Sequence, residues 1–463
     1  MMPYPPLGLL YLSSHLKARG HRVVLHDTTF AGTDSFRAAL DEHRPAVVGL
    51  YVTLMTRAAA LEMITASRKA GAWVVLGGPE PAPNAAEYLA HGAHAVVVGE
   101  GEQTLDELLH HLPVHGLRGL ESIAGLRIAG ADGEVIATPP RALLSDLSVQ
   151  PWPDREAVAF ERYLETWRRH HGHTTVSLIT SRGCPFTCAW CSHDVFGRSH
   201  RRRRVDEVAD EVEAIVERWA PDRLWYADDV FTLNRPWVAR YAAELGRRGL
   251  RVPFECISRA DRLDETVADA LADMGCRRLW IGSESGSQRI LDRMLRLTSV
   301  EDVQDKTTML QARGIEVGMF IMLGYEGEEE SDLAATVDLL TTAVPDIVLT
   351  TVAYPIRGTD YYRDVEAKIV AGRPWDQRND RELGIRGRHS RRYYRHATRW
   401  MVNEYRLAKA RNRGDVGLAG RARARAAAVA GRLGMWMSQN ERELDGAGRG
   451  WQSQEARERR AST

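Results

Sequence analysis

Cys184, Cys188 and Cys191 lie together in "SRGCPFTCAWCSHDVFG", residues 181–197, of a 463-residue chain with five cysteines. Three clustered thiols do not make a disulfide framework; they point to a reducing compartment and a metal site. Structural zinc takes four protein ligands, usually in pairs, and His193 and His200 could complete such a set. Cys256 and Cys276 stand alone, without a partner two or three positions away. A four-iron cluster held by three cysteines leaves one iron open to a substrate or cofactor.

A loop of this kind needs rigid elements beneath it. It follows the apolar run "TTVSLITS", and five similar runs come after: "RLWYADD", "VPFECIS", "RLWIGSES", "VGMFIMLGY" and "DIVLTTVAY". Strand-like runs alternating with helical periodicity predict a partial (βα)6 TIM-type barrel over residues 172–375, with its chemistry at the carboxyl ends of the strands. Residues 1–111 show the same alternation. "HRVVLHDTT", "AVVGLYVT", "AWVVLGGPEP" and "HAVVVGEGE" predict a Rossmann-like parallel sheet covered on both faces. Its ligand belongs outside the strand ends, at Asp27-Thr28, Tyr51 to Thr53, Gly77-Gly78-Pro79 and Gly99-Glu100-Gly101-Glu102. Residues 112–171 read as a connector with a hairpin, "GLRIAGADGEVIAT". Residues 376–440 read as an arginine-rich helical region, and 441–463 as a disordered tail. The fold class is α/β.

The 62 basic and 62 acidic residues balance. No chain-wide field draws the protein to nucleic acid or to an anionic membrane, so a small-molecule substrate is expected. No run is long and apolar enough to span a bilayer, and the N-terminus lacks a signal-peptide pattern, so the expected location is cytoplasmic. "RRRR", Arg201 to Arg204, reads as a solvated or cluster-facing stretch, and Arg386 to Arg425 as a mostly solvated helical face.

At Cys184, Cys188 and Cys191 the chain resembles the radical SAM superfamily through its CxxxCxxC motif, with Trp190 before the last cysteine. The resemblance implies a 4Fe-4S cluster whose open iron binds S-adenosylmethionine (SAM), and an external electron donor such as flavodoxin or ferredoxin. It places Asp228 and Asp229 of "LWYADDVF" at the SAM amino group. Glu255, Ser258 and Arg259 of "FECISRADRLDE" fall at the ribose. Glu284 lies at a strand end of "LWIGSESGSQRILDRMLRLTS", beside Gly282 and Ser285. Arg296 falls at the carboxylate, a suitable partner for a guanidinium fork. "GIEVGMFIMLGYEGEEESD" resembles the adenine-side strand, with Gly324 at its turn and Glu326 where a proline is usual.

"YPPLGLLYLSSHLKARGHRVVLHD", "PAVVGLYVT" and the two glycine-bearing strand ends resemble the cobalamin-binding domain that precedes the barrel in many such enzymes. Glycines at strand ends admit a bulky ligand close to the backbone. Gly77, Gly78, Pro79, Gly99, Glu100 and Gly101 would wall the cobalamin slot, and Thr53 and Thr56 would hydrogen-bond it. Members of the family carry a strand before "YPPLGLLYL", whereas this sequence starts there, so a truncated start or a sheet short of one strand is expected. The Asp-x-His-x-x-Gly segment that supplies a histidine to cobalt is absent, and His26 and His94 do not fit it.

The resemblance is strongest to the branch holding the anaerobic magnesium-protoporphyrin ester cyclases and the radical SAM methyltransferases. It implies methylation of an unactivated carbon of a small-molecule or natural-product substrate through methylcobalamin, with a second SAM remethylating the cobalt. Two alternatives stay open: oxidative cyclisation or rearrangement without methyl transfer, and a non-catalytic iron–sulfur or cobalamin carrier. A tRNA methylthiotransferase fits poorly, because no cysteine precedes Cys184. Tyr354, Arg357 and Tyr361, around "YPIRGTDYY", are exposed-looking candidates for substrate contact.

Overall fold

The computed structural model describes residues 3–193, 195–414 and 417–443. Two sheets dominate it. In the first, β1 (Val47–Tyr51), β2 (Trp73–Gly77) and β3 (Ala95–Val97) run parallel. β-branched and apolar side chains alternate to its two faces. Val48, Leu50, Val74 and Leu76 point one way, meeting Leu40 and Ile64. Val75 and Val97 point the other way, onto Leu108 and Leu112. The covering helices are α1 (Leu7–Lys17), α2 (Thr33–His43), α3 (Arg57–Lys69), α4 (Ala85–Ala90) and α5 (Glu102–His115).

Two expectations change here. The segment "HRVVLHDTT" is not a strand: residues 21–28 have no regular secondary structure and no ladder partner, and Val24 is 53% exposed. A strand needs a neighbour to satisfy its row of N–H and C=O groups, and this run has none. It ends in a local turn, where Asp27 accepts from the Thr29 N–H at 3.0 Å. The hairpin is more than part of a connector. Its arms β4 (Leu126–Ala129) and β5 (Val135–Ala137) add antiparallel to β3, so the sheet order is β1-β2-β3-β4-β5. Leu126 and Ile128 are buried in the same cluster as Leu108, which explains the attachment.

The second sheet is the expected six-stranded partial barrel, all parallel. β6 (Thr175–Leu178) is followed by the short ladder of β7 (Ser181–Arg182) with β8 (Arg201–Arg202). β9 (Arg223–Tyr226), β10 (Phe254–Ser258), β11 (Cys276–Glu284), β12 (Glu316–Leu323) and β13 (Ile347–Val352) complete the order β13-β12-β11-β10-β9-β6. Around it stand α6 (Phe160–His171), α7 (Val205–Trp219), α8 (Arg235–Arg248), α9 (Glu265–Met274), α10 (Gln288–Arg293), α11 (Val300–Gln311), α12 (Glu330–Ala343) and α13 (Asp360–Val365). Their starts are chemically marked: Asn234 caps α8, Asp264 caps α9, and Ser299 with Asp302 forms a capping box on α11. Two long helices follow, α14 (Arg391–Arg413) and α15 (Leu418–Ser438). Tyr393, Tyr394, Trp400 and Tyr405 of α14 sit in the barrel's own hydrophobic core. The tail expected to be disordered lies, from residue 444 on, outside the described residues.

Candidate active site at the barrel mouth

The cysteine loop leaves the carboxyl end of β6 and returns through β8. Gly183 makes the first bend at φ +86°; a Cβ there would lie 2.5 Å from the Ser199 carbonyl oxygen. Backbone bonds hold the loop across the mouth. Ala189 N–H donates to the Met294 carbonyl at 3.0 Å, and Tyr361 N–H donates to the Ala189 carbonyl at 2.8 Å. Cys188 is buried, Cys184 half-buried and Cys191 exposed. Lost hydration raises the pKa of Cys184. It pushes that of Cys191 up to about 12, with Cys188 and Cys184 adding to the effect. Free thiols are therefore favoured, and loading a metal releases protons.

Two guanidinium groups close on the buried thiol. Arg259 Nη1 lies 3.7 Å and Arg296 Nη1 3.6 Å from Cys188 Sγ. The two are tied together, since Arg259 Nη2 donates to the Arg296 carbonyl at 2.6 Å. Arg296 also grips the Gly282 carbonyl through Nε at 3.0 Å and Nη2 at 2.7 Å. Its backbone neighbours Leu295 and Leu297 both have φ of 53°, and Glu284 has φ of 58°. Non-glycine residues in this left-handed region carry strain, which here concentrates beside the thiols. Glu284 is buried; burial raises its pKa to about 7 against the opposing pull of Arg296. Phe186 lies under the Arg259 guanidinium at 3.6 Å.

The other expected residues are placed as follows. Asp229 is exposed near Cys184 and Cys191, its pKa raised by lost hydration and by Asp228. Asp228 is buried and turned to the backbone, accepting from Thr180 N–H at 2.6 Å and Ser181 N–H at 3.0 Å, with Arg202 at 3.3 Å. It shapes the loop's root. Ser258 bonds the Thr232 hydroxyl at 2.5 Å. Glu255 is not brought to the thiols: its carboxylate pairs with Arg278 at 3.1 Å and Arg223 at 3.5 Å, near the amino end of β10. Tyr361 is buried rather than exposed, stacked on Tyr325 at 4.5 Å. Tyr354 is half-buried under Arg381. Arg357 pairs with Glu87 of the first domain.

The basic run Arg201 to Arg204 is not a solvated stretch. Arg201 bonds Glu100 at 2.7 Å, Arg202 bonds Asp228, Arg203 bonds Glu211, and only Arg204 is exposed. Glu100 accepts from Arg182 at 2.8 Å, and Glu102 from Arg182 at 2.6 Å. Glu100 thus serves a domain joint, where cobalamin contact was expected. Thr53 and Thr56 bond each other at the start of α3, with Thr53 N–H donating to Thr56 Oγ1 at 2.9 Å. Gly78 has φ +100°, and a Cβ there would lie 2.5 Å from the Val52 carbonyl. Gly99 and Gly101 flank Glu100, and Gly77 ends β2 ahead of Pro79. Sequence reading missed Arg182 and Glu102 as partners, and also Trp375 and Asp380. These two meet the first domain at Arg57, which lies 4.7 Å from the Trp375 ring and 2.9 Å from Asp380. Nothing in their local sequence signals such long-range pairs.

The thiols fit a cluster better than a single ion. Around one metal, donor atoms crowd within about 4 Å of each other. The three sulfurs do not all lie within 4.8 Å of one another; among the described residues that closeness is met only by His21, Asp106 and His110. His193 and His200 bring no fourth donor into such a group. Three thiols in one loop, with two cations against the buried one, suit an anionic cluster.

Comparison with known proteins agrees. A radical SAM superfamily model matches residues 178–340 and a B12 binding domain model matches residues 2–109. An uncharacterised methyltransferase of Pyrococcus horikoshii is 29% identical over 365 residues, covering 77% of each chain. The anaerobic magnesium-protoporphyrin IX monomethyl ester cyclase of Rubrivivax gelatinosus is 26% identical over 376 residues, covering 79% of this chain and 67% of its own. Among solved structures, the radical SAM methyltransferase TsrM of Kitasatospora setae, with cobalamin and a 4Fe-4S cluster bound, shares the fold with TM-score 0.67. It is 23% identical over 79% of this chain and 72% of its own. The cobalamin-dependent radical enzyme OxsB aligns over 95% of this chain and 70% of its own, at TM-score 0.71 and 18% identity.

The fold and the site define a radical SAM enzyme behind a B12-binding domain, and its cofactors are a 4Fe-4S cluster, SAM and cobalamin. The relatives that this pair of domains is similar to include methyltransferases and magnesium-protoporphyrin ester cyclases. No helix among the described residues is long and apolar enough to cross a membrane.

Proposed function

We propose that this enzyme methylates an unactivated carbon of a small-molecule substrate held between its two domains. One observation carries the reading. The root of the cysteine loop is bolted to the turn after β3 by the ion pairs of Arg182 and Arg201 with Glu100 and Glu102. Those strand ends are where a parallel sheet presents its ligand. A radical source and a methyl carrier built on one rigid joint can act on one substrate.

When bound, the cluster supplies the electron that splits SAM into methionine and a 5′-deoxyadenosyl radical, and cobalamin supplies the methyl group. Cys184, Cys188 and Cys191 would hold the cluster. Arg259 and Arg296 offset its negative charge and keep the thiol of Cys188 in place. Glu284, at a pKa of about 7, and Asp229 offer carboxyl groups at the mouth for an ammonium or hydroxyl. An external one-electron donor is required. Names of relatives such as the hopanoid C-3 methylase of Methylococcus capsulatus support methyl transfer. The cyclase relatives support the second reading, oxidation without a methyl group. Anaerobically reconstituted enzyme, given reductant, cobalamin and methyl-labelled SAM, should form 5′-deoxyadenosine and put label into the product. Deoxyadenosine with an unlabelled, dehydrogenated product favours the cyclase reading. No deoxyadenosine at all defeats both.

A further inference from the structure

The chain's overall charge balance hides a local asymmetry. α14 carries eight arginines and lysines and one acid, Glu404; α15 carries four arginines and no acid. α15 buries Ala428, Gly431, Gly434, Met435 and Ser438. A Cβ at Gly431 would lie 2.6 Å from the Trp400 backbone nitrogen, so glycine lets α15 seat closely on α14. The opposite face is apolar and open: Leu418 is 86% exposed, Val429 57%, Leu433 54%, Trp436 65% and Met437 62%. At helical spacing these residues, with Ala422 and Ala426, form one stripe. Arg425 and Arg432 border it on one side and Arg423 on the other.

We propose that α15 docks the protein on an anionic lipid surface, its apolar stripe in the headgroup–acyl boundary and its arginines on the phosphates. An apolar face with tryptophan, bordered by Arg423, Arg432 and Arg425, the last held at 3.4 Å by Glu404 of α14, is the composition of a helix that lies on a bilayer. A second copy fits less well, because a two-fold helix pairing would bring the arginine borders together with no acid on either helix. RNA would neutralise the arginines but leave the stripe in water. The docking also has a direction. Ser390 N–H donates to the Glu441 carbonyl at 3.0 Å, and Arg388 bonds both Glu443 at 2.9 Å and the Gly324 carbonyl at 3.3 Å. The last turn of α15, with Trp436 and Met437, therefore stands at the carboxyl end of β12, the same end of the barrel as the cysteine loop. Docking along α15 sets the mouth beside the membrane surface, which suits a substrate drawn from the membrane.

The test is flotation of the purified full-length protein with vesicles of phosphatidylcholine alone, or with about a third phosphatidylglycerol, at low and physiological salt. The expected result is co-flotation with the anionic vesicles only. It should weaken about tenfold or more in Leu433→Glu/Trp436→Glu and in Arg423→Glu/Arg425→Glu, with unchanged circular dichroism. If the glutamate pair misfolds, Leu433→Ser/Trp436→Ser should weaken it as well. Three results overturn the proposal: no flotation of the wild type; a lipid-independent dimer in light scattering that the stripe variants convert to monomer; or retention of a short RNA that the stripe variants leave unchanged. The outcome is independent of SAM cleavage, so failure here leaves the proposed reaction standing.

Discussion

Arg182 Nη1 and Glu100 Oε1 stand 2.8 Å apart in the interior, joining the strand that carries the cysteine loop to the turn after β3. Both side chains are about 4% exposed, and Glu102 and Arg201 complete the network. Removing one partner of a buried pair strands a charge and costs about 3–5 kcal/mol. Arg182→Met should lower the unfolding midpoint sharply, whereas Arg204→Met, on the exposed neighbour, should not. Urea denaturation with a double-mutant cycle to Glu100→Gln measures the coupling.

Replacing Cys184, Cys188 or Cys191 with alanine should abolish iron retention after reconstitution while leaving far-ultraviolet circular dichroism intact. The described residues of the loop between β7 and β8 form no helix or strand, and its thiols add little to the cores of either sheet. Cys256→Ala and Cys276→Ala are buried in the barrel core and should reduce stability while retaining iron. Iron and sulfide assays separate the two groups.

Arg57 lies between Glu80 and Asp380, latching the first domain to the segment after the barrel. Burial, with Asp380 adding, raises the Glu80 pKa from 4.5 to about 7 against the pull of Arg57. Between those values the folded protein holds a proton that the unfolded chain has lost. Stability therefore falls as pH rises from 4.5 through about 7, by on the order of 3 kcal/mol, and is flat above. Glu80→Gln should flatten this slope, as followed by thermal melts across pH 5–8.

Gly78 at φ +100° has no room for a Cβ beside the Val52 carbonyl. Gly78→Ala should cost about 1–3 kcal/mol. It should also reduce cobalamin uptake, read as the visible spectrum retained after gel filtration with hydroxocobalamin. Gly20→Ala, also at positive φ but with open space around it, controls for strain alone.

The barrel was legible because its strands are short apolar runs, buried throughout in β6 and along most of β11 and β12, that stand out against amphipathic helices; the edge strand β13 is left half-exposed. "HRVVLHDTT" misled for the same reason. It has strand composition, but a strand exists only if another strand pairs with it. The CxxxCxxC loop was legible because its chemistry is carried by three residues within eight positions. The directions of Glu255 and Asp228 were not legible, because side-chain direction depends on the packed neighbours. The first turns to Arg278 and the second to the backbone of Thr180 and Ser181.

Local spacing alone determined the barrel's alternation of strands and helices and the position of the metal loop, since these depend on residues adjacent in the chain. Tertiary structure decided which charges are spent on architecture. Arg182 reaches back 82 positions to Glu100, and Arg57 reaches forward 323 to Asp380. It also decided that Arg259 and Arg296, 71 and 108 positions away, converge on Cys188. A buried ion pair is specified by where folding removes water, and that is a property of the packed chain as a whole.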